Sequence, residues 1–128
     1  MSAPEEVPDR RFTVAEANDR IPWLTEVLPR IRRARQVLLS GAERIRRASA
    51  TDGGGRFGRE YWEALQSLRE DVEALAREGI ILRDPETGLV DFPSEREGRP
   101  VLLCWRLGEE RVAFWHGPQA GFAGRQPL

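Results

Sequence analysis

The chain has 128 residues, a length at which one domain with one hydrophobic core is expected. Charged residues make up 32% of the chain, yet the formal net charge is −1, so no overall field attracts nucleic acid or an anionic membrane. All 20 basic residues are arginine, which excludes Schiff-base chemistry on lysine. The single cysteine excludes an internal disulfide and an all-cysteine metal site, and it favours a reducing, cytoplasmic location.

The N-terminal segment, residues 1–11, is acidic, contains proline and lacks the apolar stretch of a signal peptide. We expect a disordered tail here. A single domain should follow over residues 12–128, with a helical hairpin at 13–78 and a sheet with an irregular C-terminal tail at 79–128. No apolar run approaches the roughly 18 residues that a membrane-spanning helix needs, so no membrane partner is expected.

Residues 13–48 carry the pattern of a long amphipathic helix, because apolar side chains recur at alternating steps of three and four residues. Thr13 followed by Glu16 predicts a capping box at its start. Pro22 and Pro29 each remove a backbone donor. We therefore expect either one bent helix or a short helix followed by a longer one that opens at Pro22.

A second amphipathic helix is predicted from Arg59 to Glu78, ended by Gly79. A glycine-rich connection precedes it, so the two helices should fold back as an antiparallel hairpin. The first helix is rich in arginine and the second in acidic residues, which favours their pairing. Apolar surface beside the helix seams, including Trp23 and Trp62, predicts a homodimer through the helices.

The C-terminal part predicts a small, mainly antiparallel sheet of four strands. Asp84 lies in a Pro- and Gly-containing turn between the first two strands, where we interpret it as a turn former. Pro93 is expected to stop the second strand. The predicted fold class is therefore α+β, a long bent antiparallel helical hairpin packed on this sheet. The strands are predicted at residues 80–83, 89–92, 101–107 and 111–116.

The register of the last predicted hairpin, residues 101–116, decides which side chains share a face. A two- or four-residue turn pairs Cys104 with Ala113 and puts Cys104 and His116 on opposite faces. A three-residue turn with a bulge puts Cys104 and His116 on the same face. We favour the first register because it collects apolar side chains on one face.

Several short motifs in the C-terminal part are specific: GLVDFP at 88–93, LCWRLGE at 103–109, WH at 115–116 and GFAGR at 121–125. Together with the start at 12–18 and Pro22, they make the chain resemble the bacterial family labelled domain of unknown function 2203. The resemblance covers nearly the whole chain. It implies a bacterial cytosolic protein of about this size, and it implies no reaction.

A metal site is one functional hypothesis for the C-terminal part. Asp91, Glu109 and His116 are ligand-capable side chains near predicted strand ends, and Glu110 and Cys104 are further candidates. Carboxylates and an imidazole around an open position would suit iron, zinc or manganese. The sequence has no His-x-x-x-His, Glu-x-x-His or Cys-x-x-Cys spacing, so it does not itself require a cofactor. On a strand, Cys104 is also typical of a small buried hydrophobic residue.

Aromatic and arginine side chains predict a ligand-binding surface on the same sheet. The candidates are Trp115, Arg106, Phe122 and Arg125, with Arg125 suited to a carboxylate or phosphate. Our first hypothesis is therefore a small binding or interaction module, for a small ligand or a protein partner, with the C-terminal sheet as its functional surface. The alternative is a metal-dependent enzyme using Asp91, Glu109 and His116. No catalytic residue is identified from the sequence.

The stretch from Arg30 to Arg47 raises nucleic-acid binding as a second alternative. It contains seven arginines. Single-stranded nucleic acid is usually bound by basic and aromatic residues together, and aromatic residues are absent here. The acidic second helix accounts for the arginines more simply, so nucleic-acid binding is disfavoured.

Overall fold

Three helices precede a five-stranded antiparallel sheet in the computed structural model, which describes residues 10–48 and 55–128. The strands follow one another across the sheet in chain order, and each neighbouring pair is antiparallel. The predicted α+β class is confirmed. The elements are α1 (Val14–Asp19), α2 (Ile21–Ala48), α3 (Gly55–Glu78), β1 (Ile81–Asp84), β2 (Leu89–Arg96), β3 (Arg99–Arg106), β4 (Phe114–His116) and β5 (Gln126–Pro127). Of the predicted disordered tail, residues 1–9 lie outside the described ranges.

The first predicted helix is divided in two near Pro22. Thr13 begins α1 with the predicted capping box, in which its hydroxyl accepts from the Glu16 N–H and the Glu16 carboxylate accepts from the Thr13 N–H. A short helix followed by a longer one is the observed arrangement. Pro22 lies in the first turn of α2, where its missing N–H costs no helical hydrogen bond. Pro29 lies inside α2.

Helices α2 and α3 pack against each other as the predicted antiparallel hairpin. Arg30 donates to both carboxylate oxygens of Asp71, at 2.7 and 2.8 Å. Gly41 allows α2 and α3 to approach closely, because a Cβ at this position would lie 3.1 Å from a ring carbon of Tyr61 on α3. The predicted glycine-rich connection falls mostly at 49–54, outside the described residues, and α3 begins at Gly55 instead of the predicted Arg59.

Gly79 ends α3 as predicted. Its φ of +77° lets the Ile80 N–H reach the Leu75 carbonyl and its own N–H reach the Ala76 carbonyl. These two bonds satisfy carbonyls that the end of the helix would otherwise leave without a donor. They also direct the chain into β1.

Strand β2 continues through Pro93 to Arg96, so the prediction that Pro93 stops this strand is wrong. The Pro93 carbonyl accepts a hydrogen bond from the Phe12 N–H at 2.7 Å. The N and C=O of one strand residue point to the same side, so the missing proline N–H falls on this side and not in the ladder with β3. Strand β1 pairs with β2 only as far as Asp91, which leaves that edge open to Phe12.

The sheet has five strands across the described residues, instead of the four predicted. The fifth, β5, comes from the C-terminal residues that the sequence assigned to an irregular tail. Trp115 pairs with Gln126, and the Leu128 N–H donates to the Ala113 carbonyl at 2.9 Å. The segment between β4 and β5, residues 117–125, includes a short 3-10 helix at Phe122–Gly124.

The helices cover one face of the sheet. Side chains alternate along a strand, so Val90 and Phe92 of β2 face the helices together with Leu103 and Trp105 of β3. Phe12 packs edge-on against Phe92, with ring centroids 5.2 Å apart. The side chains between these positions point to the opposite face. That face carries the candidate site.

Candidate metal centre

The register of β3 and β4 brings Cys104 and His116 onto one face of the sheet. Cys104 lies opposite Phe114, and Leu102 lies opposite His116. The favoured prediction, with Cys104 opposite Ala113, is wrong by one residue. Such a shift moves every side chain of a strand to the other face. The alternative register, which places Cys104 and His116 together, is the observed one.

The connection between these strands explains the shift, because it is a long loop anchored in the core. The Val112 N–H donates to Asn18 Oδ1 of α1 at 2.8 Å, and the Val112 side chain is buried. Trp105 Nε1–H donates to the Glu109 carbonyl at 3.1 Å. Val112 therefore packs under the helices instead of extending β4, and the strand begins at Phe114.

Asp91, Cys104 and His116 form a buried cluster on the sheet face opposite the helices. Asp91 lies directly across from Cys104. One donor atom from each residue lies within 4.8 Å of the other two. The exposed fractions are 1% for Asp91, 0% for Cys104 and 2% for His116. Ligand atoms around a tetrahedral zinc ion lie about 3.3–3.7 Å apart, so a small contraction would let one ion bind all three.

Both ring nitrogens of His116 face oxygen atoms. Nδ1 lies 2.7 Å from the Gly117 carbonyl oxygen, and Nε2 lies 3.1 Å from Asp91 Oδ1. A carbonyl only accepts, so Nδ1 carries a proton, and in a neutral ring Nε2 then directs its lone pair at the carboxylate. A proton or a metal ion is needed between two such acceptors. An Nδ1–H bond to a backbone carbonyl is the arrangement that commonly orients a metal-binding histidine.

Arg83 supplies the countercharge for the buried Asp91 carboxylate. Its Nε donates to Asp91 Oδ2 at 2.8 Å. The register of β1 against β2 shifts between Leu82 and Asp84, so Arg83 occupies an irregular position in the strand. Bulges of this kind often redirect a side chain towards a site.

The Cys104 thiol has an environment that suppresses its ionisation. Burial raises the pKa of Cys104 to about 12, and the nearby Asp91 carboxylate adds to the increase. Without a metal, Cys104 is a protonated thiol at neutral pH and a poor nucleophile. His116 Nε2 faces Asp91, whereas the histidine of a nucleophilic triad lies between the nucleophile and the acid. A coordinated metal ion would reverse the ionisation, because a coordinating thiol loses its proton.

The cluster lies at the inner end of a cleft of about 280 Å³. Arg83 and Leu89, from the first two strands, line part of it. Pro118, Gln119 and Phe122, from the segment after β4, line the rest. Phe122 is 41% exposed, so the aromatic ring reaches the solvent side of the cleft.

Arg125 holds the segment after β4 against the sheet. Its guanidinium lies 4.1 Å from the ring centroid of Phe114 and 4.7 Å from that of Phe122. It donates to the Cys104 carbonyl at 3.3 Å and to Glu109 Oε1 at 2.8 Å. Burial alone would raise the pKa of Glu109. The hydrogen bonds from Arg125 and from the Arg106 N–H outweigh it and hold that pKa below its usual value.

A family described as "Uncharacterized conserved protein (DUF2203)" matches residues 10–128. The chain belongs to this family. The predicted resemblance is thereby confirmed. No curated protein and no solved structure matches the chain. The family description names no reaction.

The structure joins two of the three predicted metal ligands of this DUF2203 protein. Asp91 and His116 are in contact. Glu109 is elsewhere, because its carboxylate accepts from Arg125 and from the Arg106 N–H. Cys104 takes the third position of the cluster. The sequence named Cys104 only as a further candidate, from the chemistry of its thiol. The register of β4 is what brings it onto the same face as His116.

The predicted ligand-binding side chains are divided between the two faces. Arg106, Phe122 and Arg125 are grouped, with the Arg106 guanidinium 5.3 Å from the ring centroid of Phe122. Trp115 lies opposite Leu103 and packs against the core on the helix side. The same one-residue shift in register accounts for this separation.

At least four arginines of the predicted nucleic-acid stretch make ion pairs within the chain. Arg47 pairs with Glu43 of the same helix at 3.1 Å, and three others pair with carboxylates of other elements. Arg30 pairs with Asp71, and Arg32 and Arg35 pair with Glu86 of the β1–β2 turn at 3.4 and 3.2 Å. These contacts indicate that at least some arginines of the stretch form ion pairs that stabilise the fold, in agreement with the interpretation that disfavours nucleic-acid binding. Among the described helices, none is long and apolar enough to cross a membrane.

Proposed function

We propose that this DUF2203 protein binds one transition-metal ion, zinc by preference, through Asp91, Cys104 and His116. The observation that carries the proposal is the convergence of three buried donor atoms within 4.8 Å on one sheet face. Thiolate and imidazole ligands suit zinc. Of the metals considered from the sequence, manganese fits least, because it prefers oxygen ligands.

The position of the donors on strands supports a preorganised site. Asp91, Cys104 and His116 come from β2, β3 and β4, which are neighbours in the sheet. Ligands on regular strands are held more closely than ligands on loops. The Gly117 carbonyl orients the His116 ring, and Arg83 orients the Asp91 carboxylate, so both have the supporting contacts that metal ligands usually need.

Three protein ligands leave the fourth position of a tetrahedral zinc ion open. Structural zinc sites usually use four protein ligands, whereas catalytic sites use three and keep one position for water or substrate. The cleft of about 280 Å³ would lead to that position. The proposal therefore combines the two main hypotheses from the sequence. The C-terminal sheet would be the functional surface, and its side chains would hold the metal ion at the inner end of the cleft.

Elemental analysis tests the proposal. Untagged protein is purified without chelator, incubated with zinc and freed of excess metal. Cys104→Ser, His116→Ala and Glu109→Gln are treated in parallel, with circular dichroism to confirm that each is folded. We expect about one zinc ion per chain in the native protein and in Glu109→Gln, and a large loss in the other two variants. A native chain without zinc, or equal zinc in all four proteins, would falsify the proposal.

A further inference from the structure

We propose that a second copy of this chain docks on one face of α3, with the two α3 helices side by side and antiparallel about a two-fold axis. The sequence predicts a homodimer through the helices, but it does not say which face forms the interface or in which direction the helices run. The docking face is independent of the proposed metal site, which lies on the side of the sheet opposite the helices.

One face of α3 is only partly covered by the described part of the chain. Steps of three and four residues define this face, which carries Trp62, Leu65, Arg69, Val72 and Ala76. Trp62 is 66% exposed and Val72 is 40% exposed. Asp71 and Leu75, which face α2 and the core, are buried instead. Helix α3 therefore has one face for its own chain and a second, largely apolar face that suits another helix.

The second face follows the seven-residue repeat of a coiled-coil helix. Trp62, Arg69 and Ala76 are seven residues apart, and so are Leu65 and Val72. When one of two such helices is reversed, the first set of positions lies opposite the second set. Trp62 then packs on Val72 of the second copy, and Leu65 packs on the aliphatic part of Arg69 of the second copy. The same contacts form twice, as a two-fold interface requires.

The charges along the edge of this face are self-complementary when the helices are antiparallel. Arg59, Gln66 and Glu73 are exposed and seven residues apart, so they form one row beside the apolar positions. Reversal of the second helix brings Arg59 opposite Glu73 of the second copy, and it brings Gln66 near its own copy at the axis. A parallel pair would instead place like charges at the same level.

Both charged ends of this row can pair with a second copy. Neither Arg59 nor Glu73 forms an ion pair with another residue in the described part of the chain. The charge complementarity therefore does not depend on side chains that are already paired. Opposite charges at positions that flank a helix seam are a common determinant of partner choice and helix direction.

Trp62 has the position of an anchor in this interface. Its ring meets the Tyr61 ring edge-on, with centroids 6.3 Å apart and an angle of 88° between the planes. Tyr61 in turn packs against α2 beside Gly41. An aromatic side chain that rests on a packed neighbour loses little freedom on binding, and such side chains often supply much of the binding energy of an interface.

An exchange of charges tests the proposal. Sedimentation equilibrium at low ionic strength compares the native chain with Arg59→Glu, Glu73→Arg and the double variant, and circular dichroism confirms that each is folded. The native chain should approach twice the chain mass of 14.6 kDa. Each single variant should raise the dimer dissociation constant by about tenfold, because it sets like charges opposite each other at both ends. The double variant should return to within about threefold of the native value.

A mixture of the two single variants gives an independent measurement. In the row of charges, Arg59→Glu has two acidic residues and Glu73→Arg has two arginines. The two chains should therefore associate with each other more tightly than either associates with itself. The matched control is Glu60→Arg, which makes the same change as Glu73→Arg at an exposed position facing the groove beside α2. It should leave the dissociation constant close to the native value.

The outcomes separate the parts of the proposal. A native chain that stays monomeric at every concentration overturns it. Failure of both the double variant and the mixture to recover association overturns the antiparallel pairing of α3 with its copy. Equal weakening by Glu60→Arg and Glu73→Arg would reveal a general effect of charge, and it would also overturn the proposed interface.

Discussion

His116 Nε2 and Asp91 Oδ1 lie 3.1 Å apart, although their strands are separated by β3. Neighbouring strands are about 4.8 Å apart, so strands two positions apart are separated by about twice that distance. The two side chains must therefore lean towards each other over β3, which contributes Cys104 between them. This geometry gathers three donors around one point, and it places the Asp91 carboxylate in a buried polar cluster with Cys104 and His116.

Replacement of Asp91 should destabilise the metal-free protein strongly. Asp91→Ala removes the acceptor of the Arg83 Nε–H and the oxygen that faces His116 Nε2. Loss of one partner from a buried charged group usually costs about 3–5 kcal/mol in the free energy of unfolding. Asp91→Asn keeps one oxygen acceptor and should cost less. Urea unfolding in the presence of a chelator, followed by tryptophan fluorescence, measures the difference.

The matched control for Asp91 is Glu95→Ala, an exposed position on the same strand. Its free energy of unfolding should stay within about 0.5 kcal/mol of the native value. If Asp91→Ala and Glu95→Ala unfold at the same urea concentration, the contacts of Asp91 do not contribute to the free energy of unfolding.

The Cys104 thiol of the metal-free protein should react slowly with iodoacetamide. Burial, aided by Asp91, raises the pKa of Cys104 from 9.0 to about 12. At pH 8 the thiolate fraction should then be about a thousandfold smaller than for an ordinary thiol, and alkylation should slow accordingly. Mass spectrometry of the folded chain, compared with the same chain in urea, gives the two rates. Similar rates would contradict the burial of this thiol.

The same shift predicts how stability depends on alkaline pH. The folded pKa of Cys104 is higher than the unfolded one, so the folded state holds this proton more tightly. The contribution to stability is complete below about pH 9 and is lost as pH rises towards 12. Metal-free native protein should therefore lose more stability between pH 8 and pH 10.5 than Cys104→Ala does. Parallel losses in urea unfolding at both pH values would count against this linkage.

The helical part of the fold was predictable because its signals are local. Thr13 and Glu16 make the capping box three residues apart, and Gly79 supplies the left-handed residue that ends α3. The Asp84 turn is equally local. Its carboxylate accepts from the Glu86 N–H and the Thr87 hydroxyl, and the hydroxyl bond is the larger cause of its lowered pKa. Interactions of this range involve residues that lie within a few positions of each other, so the local sequence predicts them.

The candidate site was only half predictable because it depends on contacts between distant residues. The loop that leads into β4 is anchored by the bond between Val112 and Asn18, which are 94 positions apart. The alternation of side chains along the strands could not predict this bond. The apolar pattern favoured the register that pairs Cys104 with Ala113, which differs by one residue from the observed one. Asp91 and His116 were recognised from their chemistry. Cys104 could replace Glu109 only after the register was known.

Arg125 should control how firmly the segment after β4 lies on the sheet. Arg125→Ala removes two ring contacts and the bonds to Glu109 and to the Cys104 carbonyl. Hydrogen bonds to charged groups contribute about 1.5–3 kcal/mol, so local opening of residues 117–128 should become frequent. Hydrogen–deuterium exchange should accelerate there and stay unchanged in α3.

The control for Arg125 is Arg99→Ala, an exposed arginine at the start of β3. This variant removes the same charge and should leave exchange in residues 117–128 at the native rate. Unaltered exchange in Arg125→Ala would show that the segment is held by its backbone pairing at β5 alone.

The homodimer expected from the helix seams stays a prediction, and Trp62 offers a direct test of it. This side chain is 66% exposed on α3, and Leu39 on α2 is 58% exposed. Exposed tryptophan in an interface is often a main source of binding energy. Trp62→Glu should therefore raise the dimer dissociation constant by at least about thirtyfold, equivalent to about 2 kcal/mol. Sedimentation equilibrium over a range of concentrations measures this against the chain mass of 14.6 kDa.

Gln66→Glu provides the matched control for Trp62, because it adds the same single negative charge to an exposed position of α3 without removing apolar surface. It should shift the dimer far less than Trp62→Glu does, since exposed charges contribute little. If both variants dissociate equally, the effect comes from charge, and the apolar surface of the hairpin is not the interface. If the native chain sediments as a monomer at every concentration, the surface around Trp62 serves another purpose or none.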